Sequence, residues 1–311
     1  MILGKKSLEQ RRRMTLYGLL SGPTLFLAIF FLCPLLIMVI YSWLLPGIYG
    51  GVEWEFFSLN YGRIFGWADT KYEKFDPVFI RIFLNSVRLA ATTVVLNLIV
   101  CYPVAFWVGR LHEKRKNFII FLITLPFFIS LIVRLFAWVL ILRPTGFLNQ
   151  VLLGFGLISE PLELIFTDTA VIIGMVYVFV PFMFLPLYAS IEKLDNSLLE
   201  ASQDLGANRI QTFFRVILPM TLPGIVGGSI IVFIPSLGNF IVPSLLGGAK
   251  VVMIGNLIEQ QFLSARNWPF GSALGMMVMA AVLILLMFYV RLVTREEARD
   301  SAHAVAEVDP T

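Results

Sequence analysis

The chain has 311 residues, of which 58% are hydrophobic, 14% aromatic and 14% charged, with a formal net charge of +4 and a mean hydropathy of +0.85. A soluble globular chain carries about 25% charged residues, so 24 bases and 20 acids are too few to wet a soluble fold of this size. The same figures exclude disorder, coiled coil and a disulfide scaffold, and leave an integral membrane protein.

A span needs about 20 apolar residues to cross a core of about 30 Å. Residues 1–15, with Lys5, Lys6, Arg11, Arg12 and Arg13, read as a cytoplasmic N-terminal segment. An uncharged run from Met14 to Val52 then supplies a first span at about 16–44, within a transmembrane region of 16–292. Its apolar stretch outruns the about 7–15 residues of a signal-peptide core, so it reads as an uncleaved anchor. The outer loop 46–80, with Trp54, Phe56, Phe57, Tyr61, Trp67 and Tyr72 among acids, suits an interfacial amphipathic segment. Further spans fall at about 80–109, 118–142, 169–191, 223–245 and 268–291, each marked by an uncharged window. These windows are too long and too apolar for barrel strands. Residues 293–311 read as a disordered cytoplasmic tail.

Lys and Arg set the orientation. Most sit in the N-terminal segment, in the turn with Arg110, Lys114, Arg115 and Lys116, in the loop with Lys193, Arg209 and Arg215, and in the tail. Both termini are therefore expected in the cytoplasm. The positive balance suits anionic lipid and not nucleic acid. Arg88 and Arg134, inside spans, read as snorkelling or paired to carbonyls. Cys33 and Cys101 read as small apolar residues.

Absences narrow the function. His112 and His303 are the only histidines and have no ligand-spaced partner, so no metal site is expected. No G-x-x-x-x-G-K-[ST], G-x-S-x-G or H-E-x-x-H occurs, so no catalytic residues are assigned. A proton- or ion-driven carrier places a carboxylate at mid-membrane; here the nearest are Asp168 at a helix start and Glu259 in an outer loop. An enzyme would need a nucleophile–base pair or a metal cluster. A transporter without its own engine borrows one.

The candidate coupling point is the loop 192–222. Ser197, Leu198, Leu199 and Glu200 form a capping-box pattern, followed by Ala201, Ser202, Gln203, Asp204, Leu205 and the helix stop Gly206. Ile210, Phe213, Phe214 and Ile217 suggest a second amphipathic piece ending at Pro219. Helix 5 alternates prolines and glycines, and backbone exposed to a translocation path is expected there. Trp138, Tyr177, Ser236 and Asn239 are the candidate path contacts. Gly18/Gly22, Gly224/Gly228 and Gly271/Gly275 are G-x-x-x-G pairs of the helix-packing kind.

Glu200-Ala201-Ser202, three residues, Gly206, nine residues and Val216-Ile217-Leu218-Pro219 resemble the E-A-A-x3-G-x9-I-x-L-P signature of ABC importer permeases. Ser202 and Val216 depart from it conservatively. Asp204-Leu205-Gly206-Ala207, Phe83-Leu84-Asn85-Ser86, Arg134-Leu135-Phe136-Ala137-Trp138 and Pro243-Ser244-Leu245-Leu246-Gly247-Gly248 are similar to the spermidine/putrescine permeases among them. The resemblance implies an all-α membrane protein of type I ABC importer permease architecture with six transmembrane helices. It implies that residues 197–207, with Leu218 and Pro219, dock on an ATP-binding cassette subunit, itself a dimer. It also implies a second homologous permease chain and an external substrate-binding protein. No cofactor is then bound by this chain, ATP and Mg being used by the partner ATPase. Amino acids, opines, phosphonates and ferric iron are the alternative cargoes, and a stand-alone secondary carrier the distant alternative function.

Overall fold

The computed structural model describes residues 3–67 and 75–308. Asp69, Lys71, Tyr72, Glu73 and Lys74 of the outer loop lie outside the described residues. The elements run α1 Leu3–Tyr41, β1 Leu44–Pro46, β2 Val52–Phe56, α2 Leu59–Ile64, α3 Val78–Gly109, α4 Glu113–Thr124, α5 Leu131–Leu142 and α6 Phe147–Gly154. They continue α7 Asp168–Ile191, α8 Asn196–Asp204, α9 Arg209–Thr212, α10 Leu218–Leu237, α11 Ile254–Leu263 and α12 Trp268–Val308. Six stretches are long and apolar enough to cross a membrane: Arg12–Tyr41, Val78–Gly109, Leu131–Gly154, Asp168–Ile191, Arg209–Leu237 and Trp268–Arg291.

The chain divides into two compact units, residues 1–76 with 260–311, and residues 77–259. The first contains α1, the small antiparallel hairpin β1–β2, α2 and α12. The hairpin turns through Gly50 and Gly51, whose φ of 92° and 84° suit residues without a Cβ. Asn60 anchors it by donating from Nδ2 to the carbonyls of Ser42 and Leu44 at 3.1 and 2.9 Å, while the Tyr61 hydroxyl donates to Ser42 Oγ at 2.9 Å. Trp54 and Phe56 stay exposed. Arg63 lies 4.7 Å from the centre of the Phe270 ring, a cation–π contact.

The second unit is built around α7, half of whose most apolar window is buried. α3 presents Leu89, Ala90, Thr93, Asn97, Cys101, Ala105 and Val108 as its buried face, a spacing of three and four that gathers one stripe of a helix. α10 does the same with Thr221, Gly224, Gly228, Val232 and Ser236. Small residues in both stripes let the backbones approach closely. A Cβ on Gly224 would lie 2.7 Å from the Pro186 carbonyl oxygen, and one on Gly228 2.9 Å from Met183 Sδ. Thr93 and Thr221 return their hydroxyls to the carbonyls one turn back, Leu89 and Ile217, so these polar groups stay satisfied inside the bundle.

Four expectations need correction. The span expected at 118–142 is not one helix: Pro126 has no N–H to give Leu122, residues 125–128 tighten to a 3-10 turn, Ile129 and Ser130 are extended, and α5 begins at Leu131. The span expected at 223–245 falls instead at Arg209–Leu237: Gly238 ends it, and Asn239 Oδ1 accepts from Val242 N at 2.9 Å to start a separate π-turn, Pro243–Gly247. The loop 192–222 is therefore shorter than the sequence suggests. The tail expected to be disordered continues α12 as helix to Val308, in keeping with its Ala, Glu and Arg content.

Of the three glycine pairs, Gly224/Gly228 lies against α7, and Gly275 meets Met38 of α1, where a Cβ would lie 2.9 Å from Cε. Gly18 and Gly22 face open space. Gly224→Val is accordingly expected to cost about 1–3 kcal/mol by overpacking, read as a lower midpoint of thermal unfolding in detergent. Gly18→Val, with nothing within 4 Å, is expected to leave that midpoint in place.

Candidate functional site

α8 follows α7 after a four-residue turn and stands between two grooves. One, of about 400 Å³, is lined by Phe106, Arg110, Leu199, Gln203, Arg209 and Phe213, among others. The other, of about 420 Å³, is lined by Ser202, Leu205, Gly206, Gln211 and Arg215, among others. Leu198 and Leu205 are exposed, Leu205 by 88%, which leaves apolar side chains on a short polar helix without an intramolecular partner.

Both ends of α8 are fixed, in part by residues that the sequence pattern did not single out. Asp195, not Ser197, is the N-cap: its Oδ1 accepts from Ser197 N at 2.9 Å. That backbone hydrogen bond holds the Asp195 carboxyl below its ordinary range. The Ser197–Glu200 capping box does not form because the helix begins two residues earlier than that cap would set it, at Asn196. A capping box forms instead at Asn208 and Gln211, which exchange two bonds of 2.9 Å at the start of α9. Gly206 ends α8 with φ of 82°, and Ala207 N returns to the Ser202 carbonyl. Here the left-handed stop read from the sequence is observed.

Ser202 is where the chain departs from the E-A-A pattern, and its hydroxyl shares a 2.9 Å hydrogen bond with Thr212 Oγ1, tying α8 to α9. From Phe213 to Ile217 the helix widens to a π-turn before α10. This extra residue undoes the expected single face: Ile217 is buried, whereas Ile210 and Phe214 are exposed. Leu218 and Pro219 open α10 directly after the π-turn, where Pro219 has no N–H to return to the preceding turn. Tyr102 of α3 bonds Thr221 of α10 at 2.9 Å and meets the Phe213 ring edge-on at 5.7 Å.

The root of α8 has a second tie. Lys116 Nζ donates to Glu192 Oε1 at 2.7 Å, and the Tyr188 hydroxyl donates to the same oxygen at 2.7 Å. The start of α4 is thereby joined to the end of α7. The Lys116 bond, then the Tyr188 bond, hold the Glu192 carboxyl below its ordinary value. No local pattern announces this tie, since its partners are 76 residues apart.

The path candidates separate. Trp138 and Tyr177 come together, edge-on at 5.6 Å, and Arg134, expected to snorkel or pair with carbonyls, stands 5.7 Å from the Tyr177 ring centre. Ser236 is buried, its Oγ without a hydrogen-bond partner. Asn239 acts locally, capping the turn to Val242. Arg88, likewise expected to snorkel or pair with carbonyls, pairs with the side chains of Asp168 and Asn85.

Comparison with known proteins agrees with this architecture. The family described as "Binding-protein-dependent transport system inner membrane component" matches residues 101–296. The spermidine/putrescine transport system permease protein PotB of Haemophilus influenzae is 45% identical over 216 residues, covering 69% of this chain and 76% of that protein. Its counterpart in Salmonella typhimurium is 39% identical over 265 residues, covering 85% and 89%. A bacterial ABC transporter involved in import of the acidic polysaccharide alginate shares the fold, with a TM-score of 0.69, 19% identity and coverage of 92% and 97%.

A depressed carboxylate contributes stability above its unfolded-state pKa and loses it as pH falls through the folded-state value. The Glu192 end of the Lys116–Glu192 tie is 46% exposed, so its contribution is small. Wild type is expected to melt slightly above Glu192→Gln at neutral pH, and the gap to close as the pH is taken below 4.5, the ordinary value for this carboxyl. Paired melting curves across that range check it.

Proposed function

The chain belongs to the family of binding-protein-dependent transport system inner membrane components, and on that footing we propose that its cargo is a polyamine of the spermidine/putrescine kind. It is a multi-pass inner-membrane permease subunit of an ABC importer, and not itself an enzyme. The observation that carries the cargo reading is the 39–45% identity to relatives named for spermidine and putrescine. The chemistry is compatible with it. A polyamine is a flexible polycation, and passage along hydrated backbone and aromatic faces such as those of Trp138 and Tyr177 binds each ammonium by only about 0.5–2 kcal/mol. Weak sites favour release. Selection then belongs to an external binding protein.

The partners are a dimer of ATP-binding cassette subunits, a second homologous permease chain and that binding protein; ATP and Mg act on the cassette subunits. The α8 helix, with Ser197, Leu198, Leu199, Glu200, Ala201, Ser202, Asp204, Leu205, Gly206 and Ala207, is the segment that the cassette grips. What supports this is its geometry: nine residues, capped at both ends, with exposed leucines. Motion imposed on α8 reaches α10 through Ser202–Thr212 and the π-turn, α7 through its four-residue root, and α3 through Tyr102–Thr221. Both termini and α8 then share the cytoplasmic side.

Two variants test the coupling. Glu200→Ala and Gly206→Pro are expected to insert normally and to co-purify with a second six-span chain, while abolishing uptake of radiolabelled spermidine. Pro at 206 cannot adopt the observed positive φ. Normal uptake in both variants would refute the coupling role.

A further inference from the structure

The six spans contain a single carboxylate, Asp168, and a cation already sits on it. Arg88 Nη2 donates to Asp168 Oδ2 and, at 2.8 Å, to Asn85 Oδ1. Asn85 is itself held, its Nδ2 donating to the Val252 carbonyl at 3.3 Å. The neighbouring Ser86 Oγ accepts from Ile254 N at 2.7 Å. The guanidinium therefore rests between a carboxylate on α7 and a fixed amide oxygen on its own helix.

This pair is open: the side chains of Arg88 and Asp168 are 61% and 44% exposed. An ion pair so accessible adds little to stability, while charges within spans are costly and mark function. It lies at the opposite end of α7 from α8, a 24-residue helix of about 36 Å.

We propose that Asp168 is a station for an ammonium group of the cargo, with Arg88 as the resident counter-ion that the ammonium displaces. The inference rests on the polyamine reading. An alkylammonium is a compact charge with three donors and can take the place of Nη2 on the carboxylate. Arg88 keeps its bond to Asn85 Oδ1 during the exchange, so Asp168 is never left without a cation and the guanidinium is never left without an acceptor. One cation replaces another, and no bond is made or broken covalently. Because Arg88 competes for its return, the cargo is held loosely enough to move on. A neutral or anionic solute has no such exchange available.

The test uses the importer with its partner subunits in proteoliposomes, supplied with saturating binding protein loaded with radiolabelled spermidine or putrescine. Asp168→Asn is expected to lower the uptake rate about tenfold, while ATP hydrolysis stimulated by the loaded binding protein persists. Arg88→Gln, which removes the competitor that returns the cargo, is expected to slow release and lower the uptake rate as well. The charge-swapped double variant Arg88→Asp/Asp168→Arg keeps an ion pair but moves the carboxylate to α3, and uptake is expected to stay low. Uptake restored by the swap would make the pair a structural clasp and overturn the proposal, as would wild-type uptake by Asp168→Asn. If Asp168→Asn fails to assemble, the swap decides in the same way, and failure of both to assemble makes the pair a folding element and overturns it. A wild-type importer that moves neither polyamine removes the cargo reading and this station with it. Wild-type uptake with unaffected variants removes the station alone.

Discussion

Lipid tails are as apolar as leucine, so burying one span against another gains little except contact itself and the satisfaction of polar groups. In the unit of residues 77–259 that constraint is met at α7, where α10 comes close enough for the Pro186 carbonyl to exclude a Cβ at position 224. Gly174 does the same for the π-turn at 243–247, since a side chain there would collide with Leu246. Around these approaches the polar groups are largely closed locally, Thr93 and Thr221 on carbonyls of their own helices. The result is a block of three helices whose contacts leave little slack.

Such a block is what a short external helix needs if its displacement is to be felt across the membrane. α8 is tied to α9 by the Ser202–Thr212 hydroxyl pair, and the helices beyond are tied by Tyr102–Thr221 and, at the root of α8, by Lys116–Glu192. Ser202–Thr212 and Tyr102–Thr221 are each single hydrogen bonds of 2.9 Å, worth about 0.5–1.5 kcal/mol. Directional bonds of this kind fix angle more than distance, which suits transmission of a tilt. The substitution of Ser for Ala in the signature thus adds a connection that an alanine could not make.

Much of this was legible in the residues. Charge-free windows gave the number of spans and located four of them, because lipid tolerates few charges, and Gly206 announced its stop because few other residues accept positive φ. The E-A-S…G spacing located α8. What stayed hidden depended on the third dimension or on single-residue phase. Pro103, Pro181 and Pro223 sit inside intact helices, yet Pro126 sits in a break, and composition treats them alike. Asp195 took the cap that the pattern assigned to Ser197, because both are good cap residues and the helix began two positions earlier. The partners Lys116 and Glu192, and Arg88 and Asp168, are 76 and 80 residues apart, beyond any local pattern. Ser236 and Asn239 looked alike as polar residues of one helix, but one is buried and the other caps a turn.

The π-turn at Phe213–Ile217 holds one residue more than an α-helical turn would. Deleting a single residue there would close the wide turn into ordinary helix and leave the flanking segments nearly in phase, because the turn absorbs the surplus residue by widening. One residue removed from the ordinary helix of α10 has no such buffer and would swing the peg by about 100° around the helix axis. The azimuth at which the peg leaves the bundle is therefore tolerant of length at this one turn and intolerant of it a few residues further on.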